Sequence, residues 1–196
     1  MRRWPANDQV RAFGSRVRSS PVCETATVPW KEWTVAGALI ESADGLLLVR
    51  NVRRGGGEDW STPGGVIDAD DATVLDGLAR EVEEETGLRI TGWHGPVYEV
   101  VAVAPELGWS MRCEVHHVDT FEGELVIDDP DGIVVDAEFV VHHRIDDYLD
   151  RCPPWVREPL ATWLTERWTA DDATRTFHYE VHGTARDNLR VVRRDS

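Results

Sequence analysis

An α/β fold follows from three features of this 196-residue chain. Runs rich in valine, isoleucine and leucine flank one amphipathic, strongly acidic helical stretch. A second amphipathic segment opens after Pro153-Pro154, towards the C-terminal end. Apolar content of 41% beside 29% charged residues fits a water-facing domain with a buried core. No run approaches the roughly 18 apolar residues that a membrane span needs.

The first 20 residues carry five arginines and one aspartate, with no apolar stretch between them. That is not a signal-peptide layout, and residues 1–28 read as a flexible basic arm. "WTVAGALIES", Trp33 to Ser42, and "DGLLLVRNV" follow as two strands joined by a turn at Ala43-Asp44-Gly45. "NVRRGGGEDW" is a glycine-rich loop that lacks the lysine and spacing of a P-loop. Thr62-Pro63-Gly64-Gly65 makes a turn. A helix then starts near Asp70 or Asp71, whose carboxylates suit a cap, and stops at Gly87.

At 100° per residue, Leu75, Leu78, Ala79 and Val82 form the core-facing stripe of that helix. Glu81, Glu84 and Glu85 share another face and Glu83 points elsewhere. Gly77 lies one turn before Glu81 and leaves that patch open. Strands follow in "PVYEVVAVA", "SMRCEVHHVDTF" and "AEFVVHH", the last two separated by the acidic loop "IDDPDGIVVD". The second helix places Trp155, Leu160, Trp163 and Leu164 for burial, and the tail reads as a two-stranded addition. The expected organisation is an arm over 1–28, a domain over 29–150, and a helix and tail packed on it over 151–196.

The net charge of −15 and pI near 4.8 repel phosphate backbones, which argues against nucleic acid as a partner. A small polyphosphate delivered with its metal ions remains compatible. Three cysteines, far apart in sequence, form neither a disulfide framework nor zinc spacing. A cytoplasmic location fits that usage. His116-His117 and His142-His143 are adjacent pairs whose members point to opposite faces of a strand, so neither is a natural chelate.

The chemistry concentrates in "EVEEE", Glu81 to Glu85. Like charges four apart on a helix repel, and carboxylates near its C-terminus oppose the macrodipole. A bare run of this kind is most often a solvated face. A hard cation, Mg²⁺ or Mn²⁺, would instead neutralise the face while binding substrate phosphates.

"REVEEETGL", Arg80 to Leu88, resembles the second half of the Nudix box, R-E-U-x-E-E-x-G-U with U aliphatic, at every fixed position. Pro63-Gly64-Gly65 resembles its start, and Trp60 stands where many members of the Nudix hydrolase family carry an aromatic residue. One departure exists. After Gly65 and five intervening residues comes Asp71 in place of the usual glutamate, and eight residues, not seven, separate it from Arg80. Asp70 or Asp71 would have to do the work of that glutamate with a shorter side chain.

The resemblance implies an α/β/α sandwich with a mixed sheet and a loop-helix-loop motif. It implies divalent-metal hydrolysis of a nucleoside diphosphate linked to another moiety, such as a nucleoside triphosphate or an ADP-ribose-like compound. Glu81, Glu84 and Glu85 would be metal ligands, with the Gly64 carbonyl as a further one, and Arg80 would orient the carboxylates. The general base would be Glu84 or Glu85, or an acid from a downstream segment, Asp129, Asp131 or Glu138. Trp60, Gly65, Arg53 and Arg54 are the expected substrate contacts. Trp60, Trp93 and Trp109, in or near expected loops, offer aromatic faces for a base. The alternative is a non-catalytic, nucleotide-sensing module of the same fold. The C-terminal helix and basic tail are the surface expected to join two copies in a homodimer.

Overall fold

The computed structural model describes residues 29–52, 56–169, 172–185 and 188–194. The basic arm, and Arg53 and Arg54 of the expected substrate contacts, lie outside the described residues.

Strand β1 (Lys31–Ser42) organises the architecture. Its six consecutive buried residues, Val35 to Ile40, have the continuous apolar character of a strand covered on both faces. Alternation divides them. Ala36, Ala38 and Ile40 pack with Leu78 and Val82 of helix α1 (Val74–Thr86). Val35 and Leu39 face the other way, into a core completed by helices α2 (Ile145–Leu149) and α3 (Pro154–Glu166). Ile145, Leu149, Leu160 and Trp163 are the buried contributions of those two helices. Helix, sheet and helix therefore stack as the expected α/β/α sandwich.

The sheet is mixed, and β1 pairs differently along its length. Strand β2 (Gly45–Val52) forms a hairpin with it, and β4 (Gly64–Val66) pairs antiparallel at Val35–Gly37. On its other side β6 (Trp109–Glu122) runs parallel from Lys31 to Ile40. Beyond β6 comes β5 (Arg89–Ala104), antiparallel to it. The hairpin carries a second wing, in which β2 lies between β3 (Glu58–Ser61) and β7 (Val134–Val140).

Several expectations change in detail. Helix α1 starts later than Asp70 or Asp71, because Thr73 is the N-cap: its hydroxyl accepts the Asp76 N–H at 3.1 Å. Asp71 is drawn instead to an arginine further along the helix. The stop is as expected, with Gly87 left-handed at φ 73 and its N–H on the Glu83 carbonyl. Leu78 and Val82 are fully buried, whereas Leu75 and Ala79 are only half-buried. Leu160 and Trp163 of α3 are buried while Trp155 and Leu164 sit half-buried at the rim.

The tail is the two-stranded addition expected, and the structure shows where it attaches. Strand β8 (Arg175–His182) lies parallel to β5, and β9 (Arg190–Arg194) pairs with β8, so the tail widens the main sheet rather than standing apart. Trp168 fixes the crossover by donating its indole N–H to the Val97 carbonyl at 2.7 Å. Phe177, Tyr179 and Val181 of β8 are buried, which provides the driving force for docking. Among the described residues no helix is long and apolar enough to cross a membrane.

Candidate active site

The loop before α1 and the polar face of α1 are built around two glycines. Gly64 has φ +136, and a Cβ there would stand 2.2 Å from the Ala36 carbonyl oxygen. Only glycine lets β4 approach β1 so closely. The Gly64 N–H is thereby aimed at α1, where it donates to Glu85 Oε2 at 2.8 Å. Gly65 plays the matching part for Glu81, since an added Cβ would lie 2.4 Å from Glu81 Oε2. The Glu81 carboxylate rests on the backbone of the loop.

Arg80 gathers the carboxylates. Its Nε and Nη2 donate to the two oxygens of Asp71 at 3.2 and 3.0 Å, and Nη2 lies 3.9 Å from Asp68. Its Nη1 donates to Glu81 Oε1 at 2.7 Å and to Glu84 Oε2 at 3.3 Å. The forked geometry of guanidinium permits this shared use. Asp71 also accepts the Asp68 N–H at 2.8 Å, which closes the loop ahead of the helix. So Asp71, not Asp70, faces Arg80 at the altered position of the box, and the extra residue is absorbed between Asp71 and the Thr73 cap. The patch at Gly77 is not open. Asp71 fills it, and a Cβ on Gly77 would meet Asp71 Oδ2 at 2.6 Å.

The ionisation pattern follows from these contacts. The Arg80 hydrogen bonds hold the Asp71 carboxyl below its ordinary value, outweighing burial. Arg80 is pushed further up, by Asp71 first and then by Glu81 against the opposing cost of burial. Glu81 moves the other way from Asp71. Burial raises it, and the Arg80 hydrogen bond offsets only part of that cost. A single guanidinium thus leaves a partly desolvated carboxylate short of positive charge.

All donors at this face are oxygens, the set that suits a hard divalent cation. They are not gathered at ligand spacing, and among the described residues no three His, Cys, Asp or Glu side chains are. Glu81 and Glu84 are turned to Arg80, and Glu85 to the loop.

The remaining candidates are placed elsewhere. Asp129 accepts N–H groups from Asp131, Ile133 and Val134 at 2.9, 2.7 and 2.8 Å, so its carboxylate holds the turn in which half-buried Asp131 sits. Glu138 lies on β7 opposite Leu48, where its hydrogen bond raises the Tyr148 hydroxyl above its ordinary value. The residue just before the acidic loop, Val126, reaches α1 by donating its N–H to the Thr86 carbonyl at 2.9 Å.

The three tryptophans are in strands rather than loops. Trp60 is on β3, half-buried and edge-on to Tyr148 at 4.9 Å, with its carbonyl accepting the Cys152 thiol. Trp93 meets His116 edge-on and Trp109 meets Trp155. The residue that sequence reasoning passed over is Asp68. Its only advance signal was a third acid within the turn that leads to Asp71.

Comparison with known proteins agrees with this geometry. The NUDIX domain family model matches residues 31–163. A "MutT-like protein" of Streptomyces ambofaciens is 42% identical over 67 residues, 34% of this chain and 41% of the relative. The alignment thus spans about two-fifths of that relative's length. A MutT protein from Bacillus halodurans superposes with a TM-score of 0.55 at 19% identity, covering 81% of this chain and 97% of that one. The E. coli ORF135 protein gives 0.56 at 21% identity, over 70% and 94%. At such identities the two structures speak for the fold. The family model covers well over half of the sequence, and the chain belongs to the NUDIX domain family.

Proposed function

We propose that the chain is a metal-dependent pyrophosphohydrolase that cleaves a nucleoside diphosphate linked to another moiety. Nucleoside triphosphates and ADP-ribose-like diphosphates are the two substrate classes. The observation that carries this reading is the joint placement of Glu81, Glu84 and Glu85 around Arg80 and the Gly64–Gly65 backbone. Such a face has an electrostatic cost without a cation, and a pyrophosphate brings its own.

Mg²⁺ or Mn²⁺, held by Glu81, Glu84, Glu85 and the Gly64 carbonyl, would supply charge neutralisation of the phosphate oxygens. The chain's own residues then have separable tasks. Gly64 fixes Glu85 through its N–H, which orders one carboxylate before substrate arrives. Asp71 holds the far side of the Arg80 guanidinium, so that Nη1 stays aimed at Glu81 and Glu84. Glu84, whose side chain is 35% exposed, would accept the proton of an attacking water, its exposure supporting that role over the more enclosed Glu81. Gly65 leaves room for the Glu81 carboxylate against the loop backbone, and Trp60 borders the loop.

Asp71→Asn tests the positioning role. The amide keeps one acceptor for Arg80 but loses the charge, so turnover is expected to fall by about tenfold with an unchanged far-ultraviolet dichroism spectrum. Unaltered kcat would remove Asp71 from the machinery.

The reading as a whole is tested by incubating the protein with nucleoside triphosphates, ADP-ribose, NADH, dinucleoside polyphosphates and nucleotide sugars, each with Mg²⁺ and Mn²⁺. Product release from one class, abolished by chelation, is expected. Nucleotide binding by calorimetry with no turnover across the panel would instead identify a nucleotide-sensing module.

A further inference from the structure

At the end of β1, opposite the α1 face of the sheet, three side chains from three parts of the chain, Arg167, His142 and His117, converge on Glu41. Arg167 Nη1 donates to both Glu41 oxygens at 2.9 Å. His142, in the short turn before α2, places Nε2 2.9 Å from Glu41 Oε1. His117 of β6 places Nε2 3.4 Å from Glu41 Oε2 and Nδ1 3.4 Å from Asp119. The Arg167 Nη2 stands 3.1 and 3.0 Å from the two ring nitrogens of His142. Asp119 in turn has His94 of β5 at 3.6 Å.

Two features show that this cluster holds α3 in place. The Arg167 guanidinium lies 4.5 Å from the Trp163 ring centroid, and the His117 ring tilts against the same indole at 6.1 Å. Arg167 is also the C-cap of α3, left-handed at φ 54, and is the one non-glycine residue with positive φ among the described residues. Glycine would adopt that conformation without strain. An arginine there is explained by what its side chain reaches.

We propose that Glu41, His117, His142 and Arg167 form a proton-operated clasp that fastens the last turn of α3 to β1 and β6 and loosens as pH rises. Through α3 the clasp governs the layer that supplies Leu160 and Trp163 to the core and Trp155 to its rim.

The direction follows from linkage. The Glu41 carboxyl is held down to about 2, by the His117 hydrogen bond first, then by Arg167 and His142 against the cost of burial. His117 is raised above its ordinary 6.5, by Glu41 first and then Asp119, again against burial. A raised histidine contributes fully below 6.5 and loses its contribution as pH climbs through the higher folded value. A depressed glutamate contributes above 4.5 and loses it as pH falls towards about 2. The clasp is tightest between those limits.

Thermal unfolding of the full chain from pH 5.5 to 8.5, with hydrogen exchange at Leu164–Arg167, tests it. The wild-type Tm should fall by about 2–4 °C between pH 6.5 and 8.5, with faster exchange in the last turn of α3 after correction for the intrinsic rate. His117→Gln should flatten that slope, while His94→Gln, whose ion-pair partner is Asp119 and not Glu41, should keep it. Arg167→Gly should melt below wild type at pH 6 although it relieves the backbone. Equal slopes in wild type and His117→Gln, or a higher Tm for Arg167→Gly at pH 6, would overturn the proposal.

Discussion

Glu84→Gln and Glu85→Gln are each expected to lower pyrophosphate hydrolysis by about 100-fold or more, with the fold retained. The expectation combines two properties of glutamine. Its amide oxygen still accepts a hydrogen bond, so Glu85→Gln keeps the contact to the Gly64 N–H and Glu84→Gln keeps one to Arg80 Nη1. What it loses is the charge, and with it the cation binding and basicity proposed for this face. Stability moves little in either variant, because removing one of several neighbouring carboxylates relieves repulsion. Steady-state kinetics beside a melting curve checks both halves. Wild-type rates in both variants would take the box glutamates out of the reaction.

Gly64→Ala produces the largest combined loss of stability and activity. The φ of +136 is outside the range an alanine adopts comfortably, and its Cβ would press on the Ala36 carbonyl at 2.2 Å and the Gly37 Cα at 2.9 Å. Both obstacles are backbone of the buried central strand and cannot rotate away. Strain and overpacking together give about 2–5 kcal/mol, read by denaturant unfolding. Gly65→Ala is the informative contrast. There the nearest obstacle is the Glu81 carboxylate, a movable group, so the fold survives while Glu81 is displaced and turnover drops. Equal stability of the two variants would contradict the geometry of the loop.

Much of this was legible in the sequence because the signals are local. The continuous apolar run of β1 and the Gly87 stop follow from patterns a few residues long. So does the shared face of Glu81, Glu84 and Glu85. The cap was misplaced because Asp71 and Thr73 are both good capping residues. The choice was made by Arg80, nine positions further on, whose two hydrogen bonds hold Asp71 away from the helix end. The tryptophans read as in or near loops, Trp60 because it closes the glycine-rich run NVRRGGGEDW. In the fold, Gly64 and Gly65 let β4 pair with β1. The clasp has no local signature at all, since Glu41, His117, His142 and Arg167 meet only after the sandwich has formed.

The central claim is that the Arg80 to Glu85 face is a cation site on which a pyrophosphate is hydrolysed. A titration with Mn²⁺ followed by electron paramagnetic resonance tests it most directly, comparing the wild type with a Glu81→Gln, Glu84→Gln, Glu85→Gln triple variant that still folds. Loss of the free-ion signal with the wild type, and its full retention with the triple variant, is the predicted result. Equal Mn²⁺ binding by both proteins would contradict it.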